Sequence, residues 1–480
     1  MSLRLIAFDF GSTTSKALVA SAAVVKNAVT GRTEIRNLKT LSRSEPVFTP
    51  FQGEEIDESR LLELVDTWLT AERAIDKMTT VAGGVIITGL AAKKRNAKVI
   101  ADTIRKRIGD AVVAVADDPS KESWLAFMGS CASLSEAHPQ TPFVNMDIGG
   151  GTTNLAQAIN SSVLATGSLW IGARHFQFVP GSYRLREISA YGKQVLHYLK
   201  INAEVNYEMD AAEIAKIVAF YVNVLEQAAT GKLRTQTRFV EQLHFRFSAK
   251  GLMPVITFSG GVGELVYRLH RGELLPTTPY GDLGVDLARG IVASPHLSCH
   301  LATFLPANLG RATVSGLAFY GVEASGATVY LPNRDILPLR DLPLLGKISN
   351  KTKIGELEQL IARALSFTAG ACLRADCEPD SLDDLRLLAG KVAAALKSCS
   401  KSSRNGYATG APLIIFLAQN LGKTFGQYAT EWGRLPVNLV VIDEIESSVV
   451  DQKACFASVF PCRSDNMLVS FYGGLNGGLN

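Results

Sequence analysis

Two short segments repeat one arrangement of reactive side chains. Phe8-Asp9-Phe10-Gly11-Ser12-Thr13-Thr14 returns as Met146-Asp147-Ile148-Gly149-Gly150-Gly151-Thr152-Thr153. In each copy an Asp closes an apolar run, a Gly stands two residues later, and Thr hydroxyls follow. Such a Gly permits a tight turn and lets backbone approach a ligand closely. Backbone N–H groups and hydroxyls then surround phosphate oxygens, while the carboxylates of Asp9 and Asp147 suit a hydrated Mg2+. A third segment, Ser259-Gly260-Gly261-Val262-Gly263-Glu264, follows the apolar Pro254–Phe258 and opens into the apolar-periodic Leu265–Leu269. A helix N-terminus beside two glycines attracts an anion or a nucleotide. Each segment alone serves equally well as a plain tight turn.

Other reactive groups offer less. Leu417-Ala-Gln-Asn-Leu-Gly-Lys-Thr424 ends as a P-loop does but has Leu417 where the first Gly belongs, so it reads as a strand–turn–helix joint with Gly422 and Gly426 on one helix face. His296, Cys299 and His300 offer three possible metal ligands without a second cluster. The basic run Lys93, Lys94, Arg95, Lys98, Arg105, Lys106 and Arg107 reads as a solvated helix face, or as a contact to nucleotide phosphate or to an acidic partner surface.

The elements that must carry these residues alternate between strand and helix. Strands are predicted at Leu3–Phe10, Gly84–Thr88, Phe143–Ile148, Pro254–Phe258, Pro412–Leu417 and Asn438–Ile442, and helices at Ser59–Ala74 and Ala211–Gln227. That is an α/β pattern. Thr30–Gln52, Gly231–Gly251 and Lys397–Gly410 read as linkers, and the Gly-Gly-Leu-Asn repeat at the end as a flexible tail.

The 480 residues exceed one ordinary domain of ~150 residues. A net charge of +4, from 49 Lys and Arg against 45 Asp and Glu, argues against nucleic-acid or membrane partners. Seven irregularly spaced cysteines suit reduced thiols and a cytoplasmic chain. No apolar stretch approaches the ~20 residues of a bilayer span, and no secretory signal is read at the start.

The ordered set Asp9 to Thr14, Asp147 to Thr153 and Ser259 to Glu264 resembles the phosphate 1, phosphate 2 and adenosine motifs of the actin, Hsp70 and sugar-kinase superfamily. Further segments are similar to the EutA family of ethanolamine ammonia-lyase reactivating factors. They are Ile86-Ile-Thr-Gly with Ala92-Lys-Lys-Arg-Asn-Ala97, Arg311-Ala-Thr-Val-Ser-Gly316, Pro338-Leu-Arg-Asp-Leu-Pro343, Gly422-Lys-Thr-Phe-Gly426 and Val441-Ile-Asp-Glu444. Leu90 departs from the family, which commonly has Glu there, and Ala457-Ser458 stands where the family has Gly-Gly.

The resemblance implies an actin-like (RNase H-like) two-lobed α/β ATPase: mixed sheets flanked by helices over residues 1–140 and 141–310, and a C-terminal α/β unit over 311–480. It implies Asp9 and Asp147 as catalytic residues that hold Mg2+ through water. Gly11, Ser12, Thr13, Thr14, Gly149, Gly150, Gly151, Thr152 and Thr153 would bind phosphate, and Ser259, Gly260, Gly261, Gly263 and Glu264 adenosine. ATP hydrolysis would drive damaged cobalamin out of ethanolamine ammonia-lyase so that adenosylcobalamin, the cofactor of that partner, rebinds. The family belongs to ethanolamine utilisation and is often associated with bacterial microcompartments. A homo-oligomer stays open. A small-molecule kinase and a nucleotide-responsive scaffold with little turnover are the alternative readings.

Overall fold

A computed structural model describes residues 2–27, 33–53, 55–70, 80–92, 94–97, 99–100, 103–104, 111–116, 119–245, 253–320, 323–326, 328–367, 369–378, 381–402, 411–445, 456–461 and 467–472. The first sheet contains β1 (Ser2–Phe10), β2 (Thr14–Lys26), β3 (Thr33–Arg43), β4 (Thr80–Ile87) and β5 (Ala111–Ala116) in the order β3-β2-β1-β4-β5. β1 is antiparallel to β2 and parallel to β4. The second sheet contains β6 (Phe143–Ile148), β7 (Thr153–Ile159), β8 (Ser162–Leu169), β9 (Glu241–Leu243) and β10 (Val255–Ser259) in the order β9-β8-β7-β6-β10. β6 is antiparallel to β7 and parallel to β10, as β1 is to β2 and β4. The repeated motif therefore sits in a repeated three-strand meander extended by a parallel strand, the actin-like, RNase H-like plan.

Strand alternation decides where each motif Asp points. On β1, Ile6, Phe8 and Phe10 bury against Leu61 and Val65 of α1 (Glu58–Thr70), and Phe8 and Phe10 lie 5.8 and 6.4 Å from the Trp68 ring. Burial of each such aromatic stabilises by about 1.5–3 kcal/mol. Leu3, Leu5 and Ala7 take the opposite face, which Asp9 shares. On β6, Val144, Met146 and Ile148 enter the second lobe's own core, while Phe143 joins the core that holds Leu3, Leu5 and Ala7. Asp147, by parity, shares the side of Phe143.

Two helices fill the space between those faces: α2 (Pro119–Ser130) and, later in the chain, Ala312–Tyr320. Between them in sequence come α3 (Ala211–Ala229), α4 (Gly260–His270) and α5 (Gly284–Ala293), so Ala312–Tyr320 is α6. α3 starts on a capping box: Asp210 Oδ1 accepts from the Glu213 N–H at 2.8 Å and Glu213 Oε2 from the Asp210 N–H at 3.0 Å. α2 and α6 cross with backbones nearly touching, because a side chain on Gly129 would overlap Ala312 O and one on Gly316 would overlap Leu125 O.

A third sheet follows, made of β11 (Glu323–Ala324), β12 (Leu339–Ser349), β13 (Ala371–Asp376), β14 (Leu413–Leu417), β15 (Leu439–Ile442), β16 (Phe456–Pro461) and β17 (Met467–Tyr472) in the order β11-β17-β16-β12-β13-β14-β15. β12 to β15 run parallel, covered by α7 (Ile354–Leu365), α8 (Leu382–Ser402) and α9 (Gly422–Ala429). Its strands β11, β16 and β17 pack on β3 and β5 of the first sheet.

Thr30–Gln52 is not a linker. Its longest element, β3, is a polar, exposed edge strand, so apolar alternation gives no signal there. Gly231–Gly251 contains the 3-10 helix Thr235–Val240 and β9, with 246–252 outside the described residues. Lys397–Ser402 continues α8, and 403–410 and the Gly-Gly-Leu-Asn tail lie outside the described residues. Among the described residues, no helix is long and apolar enough to cross a membrane.

Candidate functional site

The two motif turns close alike: Gly11 N–H donates to Thr14 O at 3.0 Å and Gly149 N–H to Thr152 O at 2.9 Å. They face each other across a cleft of about 400 Å3 between the lobes. Asp9, Gly11, Ser12, Thr13, Thr14, Asp147, Gly149, Gly150, Gly151, Thr152, Gly260, Gly261 and Glu264 line it. The loops nearly touch, since a methyl on Gly150 would overlap Thr13 Oγ1. Gly260 keeps φ +80°, and a methyl there would stand 2.5 Å from Ile148 O, so only Gly lets α4 begin at the cleft floor.

Three expected residues do not line the cleft. Thr153 Oγ1, fully buried, donates to Ile171 O at 2.8 Å. Ser259 lies beneath Asp147, its hydroxyl donating to Asp147 Oδ1 at 2.6 Å while it accepts from Asn145 at 2.8 Å. Gly263 packs on Phe258, where a methyl would lie 2.9 Å from the backbone carbon.

Both aspartates are buried carboxylates whose proton affinity is raised. Asp9 is pushed up to about 6, chiefly by loss of hydration, with the Asp147 charge adding and Lys16 and a Thr88 hydroxyl bond opposing. Asp147 is raised by burial, opposed by Ser259, Lys16 and Thr313. Thr88 Oγ1 donates to Asp9 Oδ1 at 3.3 Å and Thr313 Oγ1 to Asp147 Oδ2 at 3.5 Å.

Lys16 is the main residue that motif reading missed. It sits directly opposite Asp9 in the β1–β2 register, its charge acts on both aspartates, and its Nζ donates to Gly310 O at 2.6 Å. Thr88 and Thr313 were likewise missed as side-chain donors, although both fall inside family-like segments. Arg174, whose guanidinium lies 5.9 Å from the Phe48 ring, ties the second lobe to the first. His175 holds the phosphate 2 turn from behind: Nε2 lies 2.8 Å from Gly151 O and Nδ1 2.7 Å from Ser189 Oγ. Because Gly151 O only accepts, Nε2 carries the proton, and burial lowers the imidazole to about 4.

The remaining candidates that are described make their contacts outside the cleft. Lys94 Nζ donates to Gly53 O at 2.7 Å and Arg95 pairs with Glu55 at 3.1 Å, away from the cleft; Lys93, Lys98, Arg105, Lys106 and Arg107 fall outside what is described of side chains. His300 Nδ1 accepts from the Ile256 N–H at 3.2 Å, and no group of three His, Cys, Asp or Glu suited to a metal occurs among the described residues. Cys131, Cys299, Cys372, Cys377 and Cys399 are free thiols; Cys455 and Cys462 lie outside the described residues. The turn before α9 is filled by Asp443, whose Oδ2 takes the Gly422 N–H at 3.4 Å where a P-loop would present it to phosphate. Gly422 and Gly426 admit Thr328 and Tyr330 closely, as expected of a packing face.

The cleft's residues fit a magnesium nucleotide. Glycines keep Cβ atoms out of its walls, an α-helix starts at its floor, and two buried carboxylates share the cleft with one lysine whose charge acts on both. A divalent cation would relieve the burial that raises both carboxylates.

The profile described as "EutA: Ethanolamine utilisation protein EutA" matches residues 2–452. The chain is 27% identical over 459 residues to the ethanolamine ammonia-lyase reactivase EutA of Salmonella typhimurium LT2, covering 92% of each. It is 28% identical over 463 residues to that of Escherichia coli K12, again covering 92% of each. Among solved structures, a Ppx/GppA family member of Aquifex aeolicus is 14% identical and spans 66% of this chain and 88% of its own, with a TM-score of 0.35. The fold assignment rests on strand order and register, not on that likeness.

Proposed function

Because the chain belongs to the EutA family of ethanolamine utilisation proteins, we propose that it is an ATP-dependent reactivating factor for ethanolamine ammonia-lyase. It would release damaged cobalamin from that lyase so that intact adenosylcobalamin rebinds. One observation carries the chemical half of this reading: two equivalent turns, one from each lobe, bring Asp9, Asp147 and Lys16 to a single cleft.

In this reading Asp9 and Asp147 would hold Mg2+, which would supply charge neutralisation at the phosphate oxygens. Backbone N–H groups of 11–14 and 149–152 fix the phosphates by position. Lys16 adds a cation that Gly310 O orients. Asp147, held by Ser259, would orient the attacking water and accept its proton as the water oxygen bonds to the γ-phosphorus and the bond to the bridging oxygen breaks, releasing ADP. Thr88 keeps Asp9 in place for the metal side of the cleft. Gly260 and Gly261 face the adenosine. Lobes that close on ATP and reopen on ADP present different surfaces in the two states, which is what driving a partner requires.

The test is recovery of lyase activity after inactivation with a cobalamin that lacks its adenosyl group. This protein, ATP, Mg2+ and adenosylcobalamin are added together, and each is omitted in turn. Recovery that requires both ATP and the protein is expected. ATP hydrolysis with no recovery would remove the lyase as partner and leave the ATPase.

A further inference from the structure

The C-terminal end of the third sheet gathers carboxylate oxygens that the nucleotide cleft does not use. Asp443 and Glu444 follow β15, the end of an open parallel sheet at which ligands collect. Asp443 is fully buried and Glu444 is 7% exposed. One oxygen of each is satisfied. Asp443 Oδ2 accepts from the Thr328 N–H at 3.2 Å, from the Thr328 hydroxyl and from the Gly422 N–H, and Glu444 Oε2 accepts from the Thr33 N–H at 2.8 Å.

The other two oxygens, Asp443 Oδ1 and Glu444 Oε1, are buried without a hydrogen-bond donor. They lie on one side of Gly326: a methyl there would stand 2.7 Å from Asp443 Oδ1 and 2.8 Å from Glu444 Cδ. No Lys or Arg among the described residues pairs with either carboxylate. Two buried carboxylates side by side repel, and a pair of unsatisfied acceptors needs a donor or a cation. A shared proton would neutralise one of them; a divalent ion neutralises both and takes oxygen ligands by preference.

We propose that Asp443 Oδ1 and Glu444 Oε1 bind a hard divalent cation, Mg2+ or Ca2+, in a site separate from the nucleotide cleft. The second oxygen of Glu444 is bonded to the first residue of β3, so the ion also braces the third sheet against the first lobe. This explains why Asp443-Glu444 ends a family-like segment that the nucleotide reading leaves without a task.

The full chain, stripped with a chelator and free of nucleotide, is titrated calorimetrically with MgCl2 and with CaCl2, and its thermal midpoint is followed alongside. Binding of one ion at millimolar concentration or below, with a rise in midpoint, is expected. Glu444→Gln and Asp443→Asn should each weaken it about tenfold or more, while the double variant Asp9→Asn with Asp147→Asn keeps it. Circular dichroism establishes that each variant is folded, and Glu444→Gln, which retains an acceptor for Thr33, decides the matter if Asp443→Asn does not fold. No heat and no midpoint shift with either ion would overturn the site, as a shared proton would produce. Unchanged binding in Glu444→Gln, or binding abolished by the Asp9 and Asp147 changes, would overturn it too.

Discussion

Asp9 and Asp147 pay for their position in the cleft with the hydration they lose. The Asp9 carboxyl titrates near 6 in the fold against 3.8 as its ordinary value. Above pH 6 the folded apoprotein carries a charge that the unfolded chain holds more easily. Below 3.8 both states are protonated and the cost vanishes. Asp9→Asn should therefore stabilise the nucleotide-free protein at pH 8, on the order of 3 kcal/mol, and by nothing at pH 3. Thermal unfolding at the two pH values, variant minus parent, checks this. The subtraction removes His175, whose lowered affinity works oppositely and weakens the fold as pH falls from 6.5 toward 4. Asp147→Asn should keep the fold and ATP binding and lower turnover at least about a hundredfold; normal hydrolysis by this variant would remove Asp147 from its assigned role. That both aspartates and most of the two Gly-rich turns line one cleft was legible because Asp-x-Gly recurs beside apolar runs. Lys16 was not, because its task depends on lying across an antiparallel pair from Asp9, and register is invisible in a single strand.

At the scale of elements, the α2–α6 crossing is the tightest joint. Gly316→Ala would set a methyl against Leu125 O, and the helices must part to admit it, at a cost of about 1–3 kcal/mol. A fall in thermal midpoint measures it; an unchanged midpoint would mean that the crossing is looser than described. Asp210→Ala, which removes the capping box of α3, should cost about 1 kcal/mol, read in the same assay. Strands that bury both faces, such as β6 and β14, were readable as apolar runs, and α3 from its helical period. β3 was read as a linker because an exposed edge strand carries no apolar stripe. β2 was missed because Ala, Ser and Thr fill seven of its 13 positions, and small residues pack a sheet without spelling alternation.

Across the whole molecule, the two phosphate turns meet where Gly150 leaves room for Thr13. Gly150→Ala should hold the lobes apart and weaken ATP binding about tenfold or more, with little change in the thermal midpoint of the nucleotide-free protein. Equilibrium binding of a labelled ATP analogue checks the first half and a melting curve the second. Equal affinity in parent and variant would place the closing contact elsewhere. The two-lobed plan was legible through the family resemblance that the repeated motif carries, whereas the third sheet's attachment was not, since it depends on edges, β3 and β5, that a sequence does not display.

That attachment has a mechanical meaning. The third sheet packs on β3 and β5 and is bonded through Glu444 to the start of β3, while Lys121 of α2 donates to Phe471 O of β17, so it is joined both to the first lobe and to the helices between the lobes. A load on the outer edge of the third sheet is therefore shared between the first lobe and the helix pair that fills the space between the lobes.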